Sequence, residues 1–162
     1  MDVVIVMDTS ISVGWSDFDH VKSFLSNLTQ HVIDNINMDS GRIPLGLLTY
    51  SSTIYPLFNL SLFTSIDEVK LSISSFNYTR AATNTAAALA YVREAMMTPL
   101  AGARDDVIKV VIVFTDGKSS DPQATRVYTM YTYKHELELL FLVCACVFKC
   151  SAVCSVSIIS LQ

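Results

Sequence analysis

The chain has 162 residues, 51% of them hydrophobic, with a formal net charge of -4. This length suits a single domain, and the apolar content is enough to bury a core without disulfide or metal staples. The acidic balance and the lack of any Lys/Arg cluster exclude a phosphate-binding surface, so nucleic acid is not an expected partner.

In chain order, Val3 to Met7 is a continuous β-branched and apolar run, the pattern of a strand covered on both faces, as in a parallel sheet. Asp8 marks its carboxyl end. From Ser16 the period changes: Phe18, Val21, Leu25, Leu28, Val32 and Ile36 recur every three or four residues and make one apolar helical face. Ser16 with Asp19 reads as a capping box. Ile43 to Tyr50 is expected to form a second strand. Ile54 to Phe58 contains Pro56, which cannot donate to a ladder and belongs on an edge strand.

Ile66, Val69, Leu71 and Ile73 suggest a short helix. Asn84 to Met97, rich in alanine, suits a helix that packs close to a sheet. Val110 to Phe114 is a third buried strand, leading to Asp116. Strands alternating with helices predict an α/β fold with a doubly wound, mostly parallel sheet flanked by helices.

The last forty residues differ, since no Gly or Pro follows Pro122 and all four cysteines (Cys144, Cys146, Cys150, Cys154) lie there. The expected division is a domain over 1–126 and a divergent apolar tail over 127–162. Three readings of the tail compete. It is a non-native or partial end, or Leu139 to Phe148 replaces the next strand beside Val110 to Phe114, or Leu137 to Leu161 spans a membrane. Lys149 near the middle counts against the span. A sheet that stopped at Val110 to Phe114 would expose a strand flank and fold poorly.

In a doubly wound sheet, ligands bind beyond the carboxyl ends of the strands. Asp8, Ser10, Ser12 and Asp116 follow such ends, and Thr83 starts the alanine-rich helix. Singly, each is also consistent with a turn former or a cap. Together they offer hard oxygen donors without His or Cys, a set that suits Mg²⁺, Mn²⁺ or Ca²⁺.

The segments "DVVIVMDTSIS", "TNTAAAL" and "VVIVFTDGKSSD" resemble the three parts of the von Willebrand factor A domain. The resemblance covers about Asp2 to Arg126. In that family D-x-S-x-S, a threonine and an aspartate build the metal-ion-dependent adhesion site. It therefore implies that Asp8, Ser10, Ser12, Thr83 and Asp116 hold a divalent cation, with Mg²⁺ the first expectation and Mn²⁺ or Ca²⁺ as alternatives. An acidic side chain of a protein partner would complete the shell.

By the same resemblance the expected role is non-enzymatic: an adhesion module of an extracellular matrix or cell-surface protein, binding collagen or another matrix protein. A membrane would be a partner only if the tail spans. No charged leader precedes the first strand, so the chain is expected either to begin inside a longer precursor or to be an intracellular scaffold in a multiprotein complex. Three N-x-[ST] acceptors, Asn27, Asn59 and Asn77, bear on that choice, because glycosylation requires the secretory route.

A reading of another class takes Asp8 as the nucleophile of an aspartate-based phosphoryl-transfer enzyme, but the second acid and the lysine it needs are not recognisable. Gly117 to Ser119 ends like a phosphate loop, yet the required earlier glycine is Ile112. His20 and His31 look like helix-surface residues, and His135 lies away from the motif.

Overall fold

A computed structural model describes residues 1–11, 18–35, 41–115 and 119–127, with the backbone of two further strands at 137–143 and 156–157. The first apolar run forms β1 (Asp2–Asp8), buried along its whole length. The amphipathic segment forms α1 (Phe18–Asp34). Val21 and Leu25 are fully buried, and Leu28 and Val32 pack against the same core. Ser16 and Ile36 lie outside the described residues.

β2 (Leu45–Tyr50) is buried throughout, and β3 (Ile54–Phe58) pairs antiparallel with it. Pro56 sits on this outermost strand, as its missing N–H requires.

The irregular apolar segment is α2 (Ile66–Ser75), which buries Val69 and Ile73. Its start is a complete capping box: the Ser65 hydroxyl accepts the Glu68 N–H, and the Glu68 carboxylate accepts the Ser65 N–H.

The alanine-rich segment divides in two. It runs as α3 (Thr85–Tyr91), with the Asn84 side chain capping Ala87 N–H, and continues as a π-helical turn over Val92–Met96. A stripe with four-residue spacing drifts around a regular helix of 3.6 residues per turn. The wider turn brings Met96 back over the sheet below Ala88 and Val92, and all three are fully buried.

β4 (Lys109–Thr115) pairs parallel with β1 on the side opposite β2. Beyond it the chain forms β5 (Leu137–Val143), parallel to β4 over Lys109 to Thr115, and a short β6 (Val156–Ser157). The six strands stand in the order β3-β2-β1-β4-β5-β6. β5 gives β4 a neighbour on the flank where the replacement-strand reading put Leu139 to Phe148, but it spans Leu137–Val143, and 144–148 lie outside the described residues. The rest of the tail, with its four cysteines and Lys149, lies outside the described residues, as does His135. Among the described residues no helix is long and apolar enough to cross a membrane.

Period-two alternation divides the core between the two faces of the sheet. Val3, Ile5 and Met7 face α1 and α2 with Ile112 and Phe114, and Phe24 meets Phe114 edge to face at 5.4 Å. Val4 and Val6 face α3 with Leu48, Tyr50, Val111 and Val113. Each fully buried aliphatic side chain contributes about 1.5–3 kcal/mol relative to exposure. Because β1 leads to β2 on one side and β4 to β5 on the other, the connections diverge beyond the carboxyl ends of β1 and β4. A crevice opens at such a point in doubly wound sheets.

Candidate functional site

Asp8 closes β1 at that divergence and is 1% exposed. Its Oδ1 accepts the Ser10 N–H at 2.8 Å, an Asx-type turn that bends the chain as soon as the strand ends. Its Oδ2 accepts the Thr115 hydroxyl at 3.0 Å, across from the last residue of β4. Both carboxylate oxygens are thus fixed, one by the loop after β1 and one by the neighbouring strand. Ser10 is fully buried, and its carbonyl accepts the Tyr78 hydroxyl at 2.7 Å.

The loop after α2 is stitched to the loop after β1. Arg80 N–H donates to Thr9 O, Ile11 N–H donates to Ala81 O, and the Thr9 and Thr79 hydroxyls meet at 3.0 Å. This brings the chain to Thr83, 7% exposed, immediately before the Asn84 cap of α3. Thr83 O accepts the Ser120 N–H at 2.8 Å, so the segment that follows β4 returns to lie against it. Thr9 N–H and hydroxyl both reach Tyr50 O, and Asn84 N–H reaches Ser51 O, which adds the end of β2 to the cluster.

Of the five residues expected at the site, Asp8, Ser10 and Thr83 therefore share one hydrogen-bonded loop cluster at the carboxyl end of the sheet. Ser12 and Asp116 lie outside the described residues. Sequence reasoning missed Thr115 and Ser51. Thr115 stands directly before Asp116 and its hydroxyl orients Asp8, a role that only the pairing of β1 with β4 reveals. Ser51, 1% exposed, has a buried hydroxyl that finds no hydrogen-bond partner among the described residues.

Buried oxygens of one carboxylate and several hydroxyls, one of them without a partner among the described residues, fit a hard divalent cation. Among the described residues no three His, Cys, Asp or Glu side chains group to hold a metal. His20 and His31 are exposed on α1 and stand apart from the cluster. The acceptor residues Asn27, Asn59 and Asn77 are all exposed.

Residues 2–134 match the model of the von Willebrand factor type A domain. The chain is 34% identical to the collagen alpha-4(VI) chain of Mus musculus over 122 residues, covering 74% of this chain and 5% of that protein. It is 35% identical to human matrilin-1 over 120 residues (74% and 23%) and 35% identical to integrin alpha-2 of Bos taurus over 122 residues (75% and 10%). It therefore spans less than a quarter of the length of each.

Among solved structures it resembles proximal thread matrix protein 1 of the mussel byssus with a zinc-occupied MIDAS motif. The TM-score is 0.75 at 20% identity, covering 86% of this chain and 37% of the other. It also resembles the manganese-loaded Plasmodium vivax TRAP protein, with a TM-score of 0.73 at 20% identity (87% and 56%). Motif order, sheet topology and these likenesses agree, and the chain belongs to the von Willebrand factor type A domain family.

Proposed function

We propose that this domain binds protein ligands through a divalent cation held by Asp8, Ser10, Ser12, Thr83 and Asp116. The observation that carries the reading is the Asp8 carboxylate, buried at the divergence of β1 and β4 with each oxygen oriented by a neighbour. A carboxylate held in this way needs no rearrangement to face a cation. Mg²⁺ is the first choice, with Mn²⁺ or Ca²⁺ as alternatives. When bound, such an ion supplies positive charge and an open position that a partner's Glu or Asp fills.

The residues of the chain do the rest. Asp8 and Asp116 supply the charge, Ser10, Ser12 and Thr83 supply neutral oxygens, and Thr115 and the Ser10 N–H keep Asp8 in position. Neutral donors leave the ion electron-poor, and this favours an incoming carboxylate.

The site is read as a binding site and not a catalytic one. A phosphoryl-accepting aspartate needs a second acid and a lysine beside it, and the sequence places neither at a recognisable position. Relatives that are collagen, matrilin and integrin chains support an extracellular matrix or cell-surface setting, with collagen or another matrix protein as ligand. The metal-loaded mussel and Plasmodium structures support the use of a cation.

The test is binding of the purified domain to immobilised collagens and matrix glycoproteins in Mg²⁺ and in EDTA. The expected result is binding in Mg²⁺ that EDTA and Asp116→Ala both abolish. Equal binding in EDTA would contradict the proposal. Glycan on Asn27, Asn59 or Asn77, read by mass spectrometry of secreted protein, would separate the extracellular setting from the intracellular scaffold.

A further inference from the structure

Ile11 is 67% exposed, although it follows Thr9 and Ser10, both fully buried. A large aliphatic side chain between two motif serines is held out into water on a fixed backbone. Its own N–H is bonded to Ala81 O at 3.2 Å, and the preceding carbonyl holds the Tyr78 hydroxyl.

Next to Ala81 in the chain is Arg80, exposed, whose N–H is bonded to Thr9 O at 3.3 Å. Arg80 has a φ of 55°, a left-handed backbone that side chains other than glycine, asparagine and aspartate rarely adopt. Such outliers cluster where a binding surface needs a particular side chain in a particular place. The Arg80 guanidinium lies 6.0 Å from the centre of the Tyr78 ring. Across the segments 9–11, 51–53 and 76–84, which converge on the crevice, Arg80 is the one charged side chain, while the segment that returns after β4 carries Asp121.

We infer that the partner segment carries, beside the acidic residue that meets the cation, an apolar side chain that covers Ile11 and a second carboxylate that pairs with Arg80. The inference rests on the cation-dependent reading above and adds the chemistry of the ligand. In a chain of net charge -4, a guanidinium at the rim of a cation site makes this face locally attractive to acidic segments. The planar fork of arginine matches a carboxylate bidentately. Ile11 gains from the partner only if it leaves water, so a purely polar acidic segment would waste it.

The experiment pans a phage-displayed random peptide library against the domain in Mg²⁺, with Asp8→Ala, Arg80→Gln, Arg80→Gly and Ile11→Ser in parallel. Arg80→Gly suits the positive φ and keeps the backbone while removing the charge. Enrichment on the intact domain of peptides with two acids and a neighbouring Leu, Ile or Phe is expected. Synthetic versions should lose about tenfold in affinity on both Arg80 variants, the scale of one charge-assisted hydrogen-bonded contact. Ile11→Ser should select acidic peptides without the apolar residue. Metal-dependent peptides that carry one acid and bind all three rim variants equally would overturn the inference and leave the cation site standing. Absence of any Mg²⁺-dependent enrichment, or its persistence on Asp8→Ala, would overturn both.

Discussion

The far end of β1 offers a quantitative test of how the sheet is anchored. Asp2 is fully buried, and its Oδ1 accepts Arg104 Nε at 2.8 Å while its Oδ2 accepts the Arg104 backbone N–H at 2.7 Å. A second guanidinium nitrogen of Arg104 lies 2.8 Å from Oδ1 and also donates to Met1 O. The two partners differ in solvent access: the Arg104 side chain is 27% exposed and that of Asp2 is 0%.

Arg104→Ala would leave a buried carboxylate with the backbone N–H in place of a counter-charge, and stranding one member of a buried pair costs about 3–5 kcal/mol. The surviving backbone bond puts the expectation at the lower end, about 3 kcal/mol. Asp2→Ala removes the buried charge and leaves a guanidinium that can turn to water, so about 2 kcal/mol is expected. Urea unfolding with unchanged m-values reads both. Arg104→Ala costing less than Asp2→Ala, or both costing under about 1 kcal/mol, would refute the burial argument. Because Asp8 sits at the other end of β1, cation affinity of the folded variants should not change.

Gly102 has a φ of 93°, and a Cβ there would lie 2.5 Å from the carbonyl oxygen of Leu60, a backbone atom that cannot turn aside. Gly102→Ala is therefore expected to cost upward of about 2 kcal/mol in the same urea assay. Thr115→Val keeps the shape of the β4 end but removes the donor to Asp8 Oδ2. Cation affinity should fall about tenfold by calorimetry, the scale of a hydrogen bond to a charged group, with a change in melting temperature of only a few degrees. Hydrogen bonds from the backbone N–H groups of Thr64 and Ser65 hold the Glu68 carboxyl below its ordinary range. Its contribution to stability is present above the unfolded pKa and is lost as pH falls through the folded one. Glu68→Gln should flatten this acid limb of the stability profile, and an unchanged limb would contradict the assignment.

Local pattern made much of the fold legible. The unbroken apolar run Val3 to Met7 requires cover on both faces, and β1 has it. Pro56 forbids a central position, and β3 lies at the sheet edge. What remained hidden depends on contacts distant in sequence. β5 has no Gly or Pro to mark its ends, so the sequence offered a strand there only as one of three readings, and pairing with β4 is what makes it one. The π turn at Val92–Met96 answers to the sheet beneath it and has no composition signal of its own.

At the site, Asp8, Ser10 and Thr83 stood out because strand ends and helix starts are readable. Thr115 did not, since its partner is 107 residues away. Ile11 was not read from the sequence, since nothing after a buried strand signals that an isoleucine will face solvent.

The decisive experiment is titration of Mg²⁺ into the purified, folded domain, with Asp8→Ala alongside. Saturable binding at one site per chain, abolished by the substitution, is expected. No heat of binding in the folded wild-type chain, or equal binding by Asp8→Ala, would contradict the proposed cation site.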